Sequence, residues 1–209
     1  TQAMSILVTR PNPDNEATAD RLRALGHQVL LAPLLKFEPV AFDDEGGAHY
    51  GAVIVTSANA IRAVAPQLRD RGLVDLPLFA VGDHTAAAAR EAGFANVIVA
   101  GGDAASLRDT VVERARDKAL KKKSTLLYLA GADLSRDLAG ELGAAGFSVV
   151  TQTTYRMVPL QHLPREICAG LAAHEVGAVL HYSRRSARAF LDAARNEGVE
   201  ISALAIPQC

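Results

Sequence analysis

The chain has no tryptophan, and aromatic residues make up only 5% of its 209 positions. That scarcity argues against an aromatic platform for stacking single-stranded nucleic acid. Net charge is missing too. Lys and Arg number 22 against 23 Asp and Glu, for a formal charge of −1, so no global field draws the chain to nucleic acid. Cysteine is scarce, with only Cys168 and Cys209, which excludes a disulfide framework and points to a reducing, cytoplasmic home. The longest apolar run, Val29–Leu35, falls far short of the roughly 20 residues of a membrane span. No basic-then-apolar leader opens the sequence, and Met4, preceded by Thr1, Gln2 and Ala3, is expected to be the native start. Neither dinucleotide nor Walker glycine fingerprint occurs, and there is no GxSxG elbow. The histidines (His27, His49, His84, His162, His174, His181) show no zinc spacing and no helical i, i+4 pair. No metal site is expected, and Cys168, in an alanine-rich helical stretch, reads as a half-buried thiol.

What is present is ordinary globular material: 49% hydrophobic residues, enough for a sizeable core and too many for disorder. The length suits one large domain or two small ones. Strands are expected at Ile6–Thr9, Val29–Leu31, Leu34–Glu38 (between Pro33 and Pro39), Ala52–Val55, Leu78–Val81 and Asn96–Ala100. Between them the apolar spacing predicts helices over Glu16–Leu25, Ala58–Leu68, Asp83–Ala92 and Ala104–Leu120. Gly26 and Gly93 are placed as C-caps and Ser57 as an N-cap. Strands alternating with helices in this way indicate βαβ units and a mostly parallel sheet. The polar break Lys118–Ser124, with Lys118, Lys121, Lys122 and Lys123, reads as a solvated helix end and loop.

After that break the pattern restarts. Leu126–Leu129 is a strand, Asp133–Leu142 a helix closed by Gly146, and Val149–Val158 an extended segment with Val149, Thr151, Thr153 and Tyr155 on one face. A shift of 120 lays Ile6 on Leu126 and Gly26 on Gly146; a shift of 126 lays Thr56-Ser57 on Tyr182-Ser183. Order and element type match, as in a pseudo-duplication. Further along, Leu204-Ala205-Ile206 falls on the strand Phe79-Ala80-Val81. It follows as an expectation that about 30 to 40 native residues come after Cys209, at ordinary element lengths.

The recurring chemical feature is a strand that ends in small hydroxyl or glycine residues and opens a helix. It occurs at Thr9-Arg10, Thr56-Ser57, Gly82 with Thr85, Gly101-Gly102, Gly131 and Ser183. Ligands of parallel α/β sheets bind at the carboxyl ends of strands, where free N–H groups and the positive end of a helix favour anions. Read singly, each hydroxyl is equally well an N-cap. Tyr155, at the end of an extended segment, is either amphipathic packing or a phenol able to act as hydrogen-bond donor and weak general acid.

Val8-Thr9-Arg10-Pro11, Val55-Thr56-Ser57-Ala58-Asn59-Ala60, Ala80-Val81-Gly82 with Thr85-Ala86, and Thr154-Tyr155 together resemble the uroporphyrinogen-III synthase family across the whole chain from Met4. The resemblance implies two interleaved α/β domains with mostly parallel sheets, joined by a two-stranded linker. One would hold residues 4–35 and 160–209 and the other residues 36–159, with the substrate between them. It implies a hydro-lyase that closes linear hydroxymethylbilane to uroporphyrinogen III, losing water and inverting the last ring through a spiro intermediate. No cofactor is implied, and the octacarboxylate substrate suits a rim of N–H donors. By similarity Tyr155 assists departure of the hydroxyl, and Thr9, Arg10, Thr56, Ser57, Asn59, Gly82, Thr85, Gly131, Arg136, Ser183 and Arg184 match substrate-contact positions. Arg184-Arg185 depart from the family, which usually has proline and a small residue there, though two arginines could pair with carboxylates. A monomer with no nucleic-acid or membrane partner is expected. The residues by themselves leave open a non-catalytic two-lobed module for a small anion, or a scaffold that has kept the fold without the activity.

Overall fold

The structure, a computed structural model, describes residues 3–43, 49–117, 120 and 124–209. The lysines expected to form a solvated loop lie outside the described residues. In chain order the elements are β1 (Ser5–Val8), α1 (Asp14–Ala24), β2 (Gln28–Leu31), β3 (Leu35–Pro39), β4 (Tyr50–Val55), α2 (Ala58–Arg62), α3 (Ala65–Asp70), β5 (Leu78–Ala80), α4 (Asp83–Ala92), β6 (Val97–Val99), α5 (Ala104–Arg116), β7 (Thr125–Gly131), α6 (Leu138–Ala144), β8 (Ser148–Pro159), α7 (Arg165–Ala172), β9 (Val176–Leu180), α8 (Arg184–Asn196) and α9 (Glu200–Leu204). They fall into two compact units, one of Thr1–Phe37 with Met157–Cys209 and one of Glu38–Arg156. Among the described residues no helix is long and apolar enough to cross a membrane.

The first unit is a parallel sheet in the order β2-β1-β9. Its core gathers Leu7, Val179, Ile167, Leu171 and Phe190, and α8 presents Ser186, Ala189, Phe190 and Ala193 from one buried stripe. Two expectations need correction here. Leu204 ends helix α9, and the strand-like residues lie further on. The Val179 N–H donates to the Pro207 carbonyl at 3.0 Å and the Cys209 N–H to the Val179 carbonyl at 2.8 Å. The repeat shift therefore grows once more, because α8 runs unbroken for 13 residues and α9 adds a further turn.

The second unit is a parallel sheet in the order β8-β7-β4-β5-β6, with β3 beside β8. Residues alternate across it. Val53, Val55, Leu127 and Leu129 pack on one side among residues of α2 and α4. Ala52, Ile54, Leu126 and Tyr128 pack on the other with Leu107, Val111, Leu138 and Leu142 of α5 and α6.

Three expected elements differ in this unit. The helix expected over Ala58–Leu68 is two, α2 and α3, because the ring of Pro66 would meet the Arg62 carbonyl and offers it no N–H. The helix expected from Asp133 starts only at Leu138, where the Asp137 side chain accepts the Gly140 N–H at 2.9 Å. Finally, Val149 and Tyr155 do not share a face. The β7–β8 ladder pairs Ala130 with Thr153 but Gly131 with Tyr155. Thr154 is the extra residue of a bulge, and a one-residue slip exchanges the faces. Tyr155 joins the α2/α4 side while Val149 stays on the α5/α6 side. The buried Thr154 hydroxyl donates to the Ala60 carbonyl at 2.9 Å. Thr154→Val is expected to cost about 1–3 kcal/mol, since one buried acceptor loses its donor; an unchanged denaturant midpoint would refute it.

Strand order places the ligand-binding edge. From β4 the chain moves out through β5 and β6, then returns to the other side of β4 as β7 and β8. The connections reverse direction between β4 and β7, which is where an open α/β sheet leaves a crevice at its strand ends. The first unit repeats this with β2-β1-β9 standing for β8-β7-β4, so its reversal lies between β1 and β9.

Candidate functional site

At the β4/β7 reversal lies a cavity of about 170 Å³, lined among others by Thr56, Ser57, Gly131, Arg136 and Tyr155. Five sequence-proposed residues thus meet in one place. Thr56 and Ser57 follow β4, Gly131 closes β7, and Tyr155 reaches in from β8. The strand-to-helix turn at Ser57 has extended backbone (φ −143°, ψ 134°), and its hydroxyl oxygen caps α2 by accepting the Asn59 N–H at 3.2 Å. Asn59 therefore enters the site through its backbone.

The Tyr155 hydroxyl donates to the same Ser57 oxygen at 3.1 Å. With two donors on its lone pairs, Ser57 keeps one free capacity, its own O–H. The aromatic ring can lie where it does because residue 131 has no side chain. A β-carbon there would fall 2.7 Å from Tyr155 Cζ and 2.8 Å from its hydroxyl. The Ala132 N–H donates to the Tyr155 carbonyl at 2.9 Å, pinning the strand end.

Arg136 lines the cavity but is held. Its guanidinium grips both oxygens of Glu141 at 2.7 Å, and Arg108 reaches the same carboxylate at 3.2 Å. The Arg136 bonds hold the Glu141 carboxyl below the usual range, and Glu141 in turn raises Arg136. The 132–137 segment, not helical here, supplies Asp133, Leu134 and Ser135 to the wall.

Sequence reasoning overlooked Tyr128. Its phenol hydroxyl stands 3.3 Å from Thr56 Oγ1 and lines the same cavity, though the residue is only 2% exposed. Burial pushes this phenol above its ordinary pKa, and the Thr56 contact pulls it back. The signal was available: one polar tip in the apolar run Leu126-Leu127-Tyr128-Leu129 must find a partner.

Gly82 and Thr85 lie apart from that lining, at the start of α4, where Gly82 is the N-cap and Thr85 is buried. The remaining candidates belong to the first unit, at its β1/β9 reversal. The Thr9 hydroxyl is fully buried, 3.0 Å from the Leu180 carbonyl and 2.7 Å from His181 Nδ1. Arg10 lies 4.4 Å over the Tyr182 ring and donates to Thr18 at 3.1 Å. Ser183 caps α8 by accepting the Ser186 N–H at 3.1 Å, and Arg184, exposed, opens that helix. Among the described residues no group of three His, Cys, Asp or Glu side chains is placed to hold a metal ion.

Comparison with known proteins bears on the fold and the family. The sequence family described as uroporphyrinogen-III synthase HemD matches residues 16–206. A mutant uroporphyrinogen III synthase from the extremely thermophilic bacterium Thermus thermophilus superposes with a TM-score of 0.58 at 18% identity, over 96% of this chain and 81% of that one. Uroporphyrinogen-III synthetase from Helicobacter pylori gives 0.58 at 19% identity, over 91% and 78%. No curated protein matches in sequence. At these identities the two structures speak for the fold, while the family match spans most of the sequence. The chain belongs to the uroporphyrinogen-III synthase family.

Proposed function

We propose that Tyr155 supplies the proton, through Ser57, for the loss of water that opens the cyclisation this family performs in tetrapyrrole biosynthesis. The substrate is linear hydroxymethylbilane and the product uroporphyrinogen III, which makes the reaction that of a hydro-lyase. The carrying observation is the saturated Ser57 oxygen. It accepts from Asn59 N–H and from the Tyr155 phenol, so its only remaining role is to donate. As the substrate C–O bond breaks, its electron pair stays with the leaving oxygen. That oxygen takes the Ser57 proton, Tyr155 refills Ser57, and water departs. Ring closure then releases a proton from the attacked pyrrole carbon, which restores the phenol. No redox partner is needed.

Holding the chain matters as much as the proton. The linear tetrapyrrole closes unaided to the uninverted isomer, so the protein's task is to present the less accessible carbon of the last ring. Positioning of this kind supplies several kcal/mol. Thr56, Gly131 and Arg136 frame the reacting end, and Gly82 and Thr85 offer the N-terminus of α4 to carboxylates. In the first unit Arg10, Ser183 and Arg184 are proposed as carboxylate contacts, with Thr9 fixing the strand end beneath them.

The test is to supply hydroxymethylbilane to the protein and resolve the product isomers by chromatography. Type III product supports the reading. Type I alone, at the spontaneous rate, would make the protein a binder without this activity.

A further inference from the structure

We propose that Tyr128 is a positioning residue of this site, whose phenol turns the Thr56 hydroxyl toward an oxygen of the bound substrate. The inference rests on the functional reading above. Tyr128 is the polar member of an otherwise apolar face, packed with Ala52, Ile54, Leu126 and Ala130. A phenylalanine would fill that hydrocarbon space as well, so packing does not account for the hydroxyl. The hydroxyl instead stands 3.3 Å from Thr56 Oγ1, at the wall of the cavity that holds Tyr155.

The arrangement mirrors the Tyr155–Ser57 pair. Extended backbone at the Thr56-Ser57 turn sends consecutive side chains to opposite sides. Tyr128 reaches Thr56 from the α5/α6 side, and Tyr155 reaches Ser57 from the α2/α4 side. Two adjacent alcohols are each held by one phenol. A phenol is the stronger acid and the poorer acceptor of such a pair, and burial keeps this one protonated. The phenol therefore donates and Thr56 accepts, which frees the Thr56 O–H to donate into the cavity. The separation is long for an O–H···O bond, as is common in ligand-free sites that tighten on binding.

The experiment is a double-mutant cycle read as kcat/KM for type III product, with thermal unfolding followed in parallel. Tyr128→Phe and Thr56→Val are each expected to lower kcat/KM by about tenfold, the worth of one oriented hydrogen bond. The double variant is expected to fall no further, because the two groups act as one. Thr56→Ser, which keeps the hydroxyl, is expected to stay within about twofold of wild type. If Tyr128→Phe does not fold, p-aminophenylalanine in place of Tyr128 retains a donor at the ring tip and is expected to keep most of the activity. Folded Tyr128→Phe protein with wild-type kcat/KM, or losses that multiply in the double variant, would overturn the inference alone. Absence of type III product from the wild-type protein would overturn the reading of the site and this inference with it.

Discussion

Tyr155→Phe is expected to lower turnover to type III product by roughly 10²- to 10⁴-fold, the usual worth of a positioned general acid. The fold should survive. The ring stays packed on the side of the sheet that carries Val55 and Leu129, while the 3.1 Å bond to Ser57 is lost. A bond of that kind is worth about 1 kcal/mol of stability. The loss should fall on kcat rather than KM, because a proton transferred in the transition state contributes little to holding the substrate beforehand. Ser57 would remain capped on Asn59, so a second signature follows. The variant should bind substrate while the spontaneous type I isomer builds up in solution. Rates and isomer ratios equal to wild type would remove Tyr155 from the chemistry.

Gly131→Ala is expected to reduce turnover by about a hundredfold, comparable to what a displacement of about 1 Å costs a catalytic group. The added carbon would stand 2.7 Å from Tyr155 Cζ, inside any permitted contact, so the ring must move off Ser57. The backbone of Gly131 is not in the left-handed region, so alanine costs little there in its own right. The defect should therefore appear in rate, with thermal stability changed far less. Because the change acts only by displacing the phenol, it should add little in a Tyr155→Phe background. A Gly131→Ala protein with normal turnover would show that the ring position is not what the reaction needs.

These expectations depend on details of unequal visibility in the sequence. Most strands and helices could be read from apolar spacing, and the caps at Ser57, Gly26 and Gly93 from residue type. The Thr56-Ser57 and Gly131 rims follow from where strands end. The helix break was also written in the chain, since Pro66 cannot continue a helix begun at Ala58. The bulge at Thr154 was not. It is a mismatch between two strands, and alternation within β8 alone carries no trace of it. Tyr128 was hidden for a related reason. Its role depends on Thr56, 72 residues away, which strand pairing brings beside it. The commitment of Arg136 to Glu141 is likewise a matter of where α6 begins.

The supernumerary residue at Thr154 decides how many walls of the chamber can take part in chemistry. Had β7 and β8 stayed in step to their ends, both phenols would stand on one side of the sheet, and Ser57 would have no aromatic partner. Excising Thr154 would be a shortening that spares this geometry, since plain alternation from Thr153 then leaves Tyr155 opposite Gly131 on the side its ring already occupies.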